Sequence, residues 1–311
     1  MIRKFFKQEI DYGIASKNYV YMIGFLCVLF GVTLFLNYSS VQETHENYLA
    51  TIDYYEKNGL DVEADLESSY DVEEFDGGGI IENPIAFHRQ MLSQYIFAAS
   101  PEYTLSQLLE SSVLYFPIVF GVWGLILATN DIRFRTIKLK TVRMSKKTFV
   151  LTKYLSIAFS SLLFMLAAIS ISFVVGWIMF QILSNNVPIS EYKGESLPSS
   201  TGIFNKMLFG YILALVFAVI GYTFGTVFKN MYIGMVAIIV YMFLLPNLGS
   251  FDLKNAIYYF ANQLFDFYGV VNVEPPVETN FVISILVVLV LFIIAYFINL
   301  IIVQKRSSFE S

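Results

Sequence analysis

Long apolar runs alternate along this chain with polar segments of very unequal charge. No Asp, Glu, Lys or Arg lies between Lys17 and Glu43, Glu110 and Asp131, Lys153 and Glu191, Lys206 and Lys229, Lys229 and Asp252, or Glu278 and Lys305. Each of these windows is long enough for the roughly 17 to 25 residues that cross a hydrocarbon layer about 30 Å thick. Backbone polar groups in lipid must be satisfied within their own segment, so every window is expected to be a helix. Runs such as FVISILVVLVLFIIAYFINLII do not alternate as the strands of a membrane barrel would. The pattern therefore predicts an all-α polytopic membrane protein with six transmembrane helices, an N-terminal amphipathic elbow helix and a helical extracellular insertion between the first and second spans.

In residues 1–17, Ile2, Phe5, Phe6, Ile10 and Ile14 recur at helical spacing, with Arg3, Lys4, Lys7 and Asp11 largely on the other side. This segment is expected to lie along the cytoplasmic leaflet, its aromatics in the apolar boundary and its cations against lipid phosphates. The expected spans are 18–37, 112–129, 149–183, 207–228, 231–247 and 280–303. Between the first two lies an acidic domain, 38–111, in which Tyr48, Ile52 and Tyr55 share one helical face and Phe87, Met91 and Tyr95 another. Asn83-Pro84 before the second group looks like a helix cap followed by proline at the first helical position. A connector at 130–148, outer loops at 184–206 and 248–279, and a tail at 304–311 complete the division. The second outer loop carries Ile257, Phe260, Leu264 and Phe267 at helical spacing, as an interfacial or re-entrant helix would.

Composition and charge settle class and orientation. With 56% hydrophobic and 14% charged residues, the chain has too little polar surface for a water-soluble globule. Residues 131–153, DIRFRTIKLKTVRMSKKTFVLTK, hold eight Lys or Arg residues against the single acid Asp131, whereas 38–111 hold fifteen acids against Lys57 and Arg89. Lys and Arg stay on the cytoplasmic side, so both termini and the connector are expected inside and the acidic domain outside, in a cell membrane. Residues 18–36 exceed a typical signal-peptide core and no small-residue cleavage pattern follows, so this run is expected to be retained. Cys27 is the sole cysteine, which excludes an intramolecular disulfide.

No catalytic constellation is visible. His45 and His88 belong to no metal or nucleophile motif. There is no G-x-x-x-x-G-K-[ST] phosphate loop, so the chain is not expected to hydrolyse ATP or to bind a cofactor itself. Spans almost free of ionisable groups argue against autonomous ion coupling. Gly221 and Gly225 form a G-x-x-x-G on the same helix as Gly210, a spacing that permits close helix packing, most simply within the chain.

Six spans, cytosolic termini, an amphipathic N-terminal helix and the connector together resemble the membrane subunit of type 2 ABC transporters. In that family the connector reads as an acid, basic residues, Gly-Thr, a Leu-rich step, Pro-(Val or Leu)-(Ser or Thr)-Arg, and then a Lys at the start of the third span. Asp131 matches the acid, Thr136 the threonine, Met144-Ser145-Lys146-Lys147 the Pro-to-Arg step and Lys153 the lysine; Arg135 replaces the Gly and Met144 the Pro. The resemblance implies a short coupling helix, although Ile132, Phe134, Ile137 and Leu139 alternate with basic residues nearer a strand period. It implies that Arg133, Arg135, Lys138, Arg143, Lys146 and Lys147 meet an ATPase or lipid phosphates, while Ile137 and Leu139 dock by apolar contact.

The partners so implied are two cytosolic ATPase subunits carrying ATP and magnesium, a second permease copy or a related one, and membrane lipids; no nucleic acid is expected. The function implied is ATP-driven export of an amphiphile such as a peptide antibiotic or lipid. The acidic domain leaves open a second possibility, a sensing or immunity module that binds a cationic peptide without bulk transport.

Overall fold

The computed structural model of the chain describes residues 2–75, 78–134, 136–192 and 201–307. In order the elements are α1 (Ile2–Ala15), α2 (Asn18–Asn58), α3 (Val62–Glu67), β1 (Asp71–Phe75), β2 (Gly78–Glu82), α4 (Pro84–Ala99), α5 (Pro101–Arg133), α6 (Thr136–Arg143), α7 (Lys146–Asn186), α8 (Ile189–Tyr192), α9 (Ile203–Phe228), α10 (Met231–Ile239), a π-helical turn (Val240–Leu244), α11 (Leu253–Leu264) and α12 (Phe281–Ser307). Among the described residues the only sheet is the antiparallel β1–β2 hairpin, with Asp71 opposite Glu82. It replaces helix in part of the acidic region, where a mostly helical insertion was expected.

Five helices, α2, α5, α7, α9 and α12, are long and apolar enough to cross a membrane. The chain is thus a multi-pass helical membrane protein. Of the six expected spans the fifth is the shortest, where α10 has nine residues and the π turn five. At 1.5 Å per residue this stretch extends about 21 Å, short of the hydrocarbon thickness. Its early end has a local cause. Pro246 disfavours helical geometry at the residue before it, and Leu245 is extended, with its N–H bonded back to the Val240 carbonyl at 2.9 Å.

Other helices overrun their expected bounds. Both α2 and α7 have 41 residues, about 61 Å each and twice what a membrane needs. Beyond the apolar part of α2, Val41, Tyr48, Ile52 and Tyr55 continue a helical stripe. That stripe packs with Ile85, Leu92 and Ile96 of α4 and with Leu183 and Val187 at the end of α7. The first part of the acidic region is therefore one continuous helix with the first span. Asn83 caps α4 as its sequence suggests, its side-chain oxygen accepting from Ala86 N–H at 3.3 Å.

The centre is the α5–α9 pair. Small residues bring the two backbones together: a methyl group on Gly221 would collide with the Gly121 carbonyl, and one on Gly124 with the Ala218 carbonyl. A methyl on Gly225 would lie 2.6 Å from the Ala128 Cβ, and one on Gly210 3.3 Å from a Leu109 methyl. The G-x-x-x-G spacing thus serves packing within the chain. Around this pair, Phe116, Phe120, Trp123, Phe164 and Phe217 fill the core.

Candidate functional site

The connector is built where α1, the end of α5, α6 and the start of α7 converge. Helix α1 presents Phe5, Phe6 and Ile10 to the body and leaves Ile2 and Ile14 exposed. Phe6 meets Phe159 edge-to-face with ring centroids 5.7 Å apart. The chain then turns through Lys17, whose φ of 59° lies in the left-handed region. Gly13 is needed beside this turn, since any Cβ there would strike the Tyr19 ring.

Glu9 of α1, Asp131 of α5, Lys140 of α6 and Lys153 of α7 form one buried ion cluster. Lys153 Nζ lies 2.5 Å from Asp131 Oδ2 and 2.6 Å from Glu9 Oε2. Lys140 pairs with Asp131 at 3.0 Å and also with Glu9. The Thr136 hydroxyl donates to Asp131 Oδ1 at 2.6 Å, which fixes the first turn of α6 to the last turn of α5. Two carboxylates and two ammonium groups thus balance within the cluster, and their mutual attraction offsets part of the cost of taking them out of water.

Of the residues proposed for partner contact, Asp131 and Lys153 are consumed inside this cluster, and Thr136 serves it. Ile137 also points inward, packed with Met144, Phe149, Val150, Leu300 and Val303. Ser145 caps α7, its hydroxyl oxygen accepting from Thr148 N–H at 3.2 Å. Exposed on the outer face are Arg133, Lys138, Leu139, Arg143, Lys146 and Lys147. Arg135 lies outside the described residues. Leu139 and Val142 are each 69% exposed and Phe134 56%. The result is an apolar ridge flanked by cations, on a helix of eight residues held by its buried face. The period is helical despite the alternation in the sequence. Ile137 and Met144, seven apart, both face the body, and the buried apolar side favours a helix once α7 and α12 supply the surface beneath it.

Two participants escape the motif. Glu9 is an acid on the apolar side of α1, four residues after Phe5, whereas Arg3, Lys4, Lys7 and Asp11 lie largely on the other side, and that position is the signal for it. Lys140 stands in the basic run with nothing in its spacing to separate it from Lys138.

A second polar contact set holds the same end together. Asn299 of α12 donates to Thr223 Oγ1 at 2.8 Å and to the Tyr154 hydroxyl at 3.1 Å, and accepts from Thr226 Oγ1 at 2.7 Å. Arg306 donates to the Thr226 carbonyl.

Fold and site together define a multi-pass α-helical membrane protein with a cationic connector braced by buried ion pairs. No family model matches the chain, and no curated protein or solved structure matches it either.

Proposed function

We propose that this chain is the permease subunit of an ATP-driven ABC transporter, exporting an amphiphile such as a peptide or lipid with energy from separate cytosolic ATPase subunits. The observation that carries this reading is the outer face of α6, with Leu139 and Val142 exposed among Arg133, Lys138, Arg143, Lys146 and Lys147. An apolar ridge ringed by cations suits docking to a protein with an acidic-rimmed groove. Its bracing suits transmission: α6 joins the ends of α5 and α7 directly, so a push on its outer face is delivered to two long helices. A second permease copy completes the pathway, and α1 rests on the cytoplasmic leaflet.

The test is purification of the full chain in mild detergent with its bound proteins identified. A stoichiometric ATPase is expected, and Arg143→Glu, Lys146→Glu and Lys147→Glu together should abolish its co-purification while the protein inserts and melts as before. A fully active preparation with no ATP-hydrolysing subunit overturns the proposal. Tight binding of a cationic peptide by such a preparation would favour the sensing alternative.

A further inference from the structure

Helix α12 is the least embedded of the five long helices: 11% of its most apolar stretch is buried, against 61% for α9 and 67% for α5. Between α12, α9 and the short α10 lies a groove of 970 Å³. Its inner side is made by the buried residues Phe217, Ile238 and Ala295. Its outer rim is made by Leu286, Val290 and Ile294, which line the groove and are about half exposed on α12. The groove is therefore continuous with the face that α12 turns to the bilayer.

The chemistry of the lining excludes a polar occupant. Thr223, Tyr241 and Asp252 bring the only polar side chains to it, and each is already paired. Thr223 Oγ1 donates to the Val219 carbonyl at 2.8 Å and accepts from Asn299 Nδ2 at 2.8 Å. Asp252 accepts from the Tyr241 hydroxyl, from Leu248 N–H at 2.9 Å and from Lys254 N–H at 3.1 Å. Water in a cavity needs two to four polar partners, and these groups have none to spare. A groove left empty would forfeit the dispersion contacts of its walls. What fills it is apolar.

Its dimensions select among apolar occupants. Leu286 and Ile298 both line it and stand twelve residues apart on α12, about 18 Å along the axis. Half of a hydrocarbon layer about 30 Å thick is about 15 Å, so the groove has the depth of one leaflet. Over that length 970 Å³ gives a mean section of about 54 Å². A helix about 10–12 Å across needs a section of about 80–110 Å². A helix of a second copy is too wide, whereas flexible hydrocarbon fits.

One end of the groove is closed by Leu248, Phe251 and Asp252, just beyond the point where the π turn stops at Leu244. Leu244, Leu248 and Phe251 are strongly exposed. They make an apolar lip at the level where the fifth helix ends.

We propose that this groove holds the acyl tail of one bilayer phospholipid, drawn from the leaflet at the α11 end. The headgroup rests beside the lip of Leu248 and Phe251, and the tail runs between α9 and α12 toward Thr223. The tail supplies the contacts that α12 lacks with the rest of the chain and fastens it to α9 and α10. The inference does not rest on the permease reading, because it concerns how α12 is held and not what drives the protein.

Photo-labelling of the full-length protein in phosphatidylcholine nanodiscs tests it. The discs contain a trace of phosphatidylcholine with a diazirine at the end of one acyl chain, and adducts are located by mass spectrometry after digestion. Ile220 and Leu291 line the groove and are partly buried, whereas Leu289 and Ile293 are exposed on α12 outside it. Adducts are expected at all four positions. Moving the diazirine to the head end of the chain should shift the groove adducts toward Leu248 and Leu286. Val290→Trp, at a half-exposed rim position, fills the groove and should abolish the adducts at Ile220 and Leu291 while those at Leu289 and Ile293 persist. Should Val290→Trp not fold, Leu286→Trp closes the same rim nearer the lip and should have the same result. Adducts confined to Leu289 and Ile293 in the parent protein overturn the proposal, as do groove adducts that survive the folded tryptophan variant. Cross-links from groove residues to another copy of the chain overturn it in favour of a protein occupant.

Discussion

Glu9, Asp131, Lys140 and Lys153 meet as two carboxylates and two ammonium groups, whereas at the other end of α5 Glu110 accepts from the Tyr103 hydroxyl beside the Lys206–Asp266 pair. Both groups are buried and both include residues of α5. Asp131 and Glu110 are 21 positions apart on that helix, about 31 Å along its axis and close to the hydrocarbon thickness. The difference between them is one of chemistry. At the connector every charge has a partner within the cluster, so burial locks four helices together. At the other end Glu110 is held by a hydrogen bond from the neutral Tyr103 hydroxyl, and the Lys206 ammonium binds Ser106 and Asp266.

The largest effect should come from breaking the complete cluster. Lys153→Met leaves Asp131 and Glu9 sharing only Lys140, and loss of one partner from a buried pair costs about 3–5 kcal/mol. The expected readout is a large fall in melting temperature in detergent, with α1 becoming accessible to protease. Adding Glu9→Gln to Lys153→Met restores the balance of charge and should recover much of the loss. Equal instability of the single and double variants would mean that packing, and not charge, holds this end.

The balanced cluster is also the part of the site that the sequence conceals. Helical spans follow directly from the charge-free windows, because lipid leaves the backbone no alternative. The reach of α2 to Asn58 was partly legible as well: Tyr48, Ile52 and Tyr55 sit at helical spacing and read as a helical face, but the polar residues after Asn37 read as the end of the first span, so the continuity of the helix is not visible until α4 and α7 provide the covering surface. Glu9, by contrast, joins Lys140 and Lys153 across 131 and 144 residues of sequence. Local spacing carries no trace of such pairs. Glu110, Lys206 and Lys153 fall at the edges of apolar windows, where a charge reads as the boundary of a span, so their burial is invisible until helices overrun those boundaries. The fifth helix stops at Leu244, three residues before its expected bound, because Pro246 ends it.

The α5–α9 contact connects the two clusters, and it gives the next largest effect. A methyl group on Gly221 meets the Gly121 carbonyl, a backbone atom that cannot rotate aside. Gly221→Ala should cost about 1–3 kcal/mol by overpacking. Gly24→Ala and Gly31→Ala are the controls, since nothing lies within 4 Å of a Cβ at either position. Melting of the three variants side by side checks the expectation, and a neutral Gly221→Ala would show that the two helices are free to separate.

The smallest effect is the one that tests the comparison most directly, because it depends on sign. Asp131→Asn and Glu110→Gln are the same chemical change, a buried carboxylate turned into an amide. At Asp131 it removes one of two charges that hold Lys140 and Lys153, so stability should fall. At Glu110 it removes a buried charge and keeps an oxygen able to accept from the Tyr103 hydroxyl. The new amide can also donate, and Gln107 Oε1 on the same face has no other partner. One hydrogen bond is worth about 0.5–1.5 kcal/mol net. In detergent at pH 8, Glu110→Gln should therefore match the parent protein or exceed it by about 1 kcal/mol. Opposite signs for the two variants would show that Asp131 holds its cluster by charge and Glu110 holds its neighbours by a hydrogen bond. A fall at both positions would show that the charge of Glu110 is also held, Lys206 being the cation that faces it.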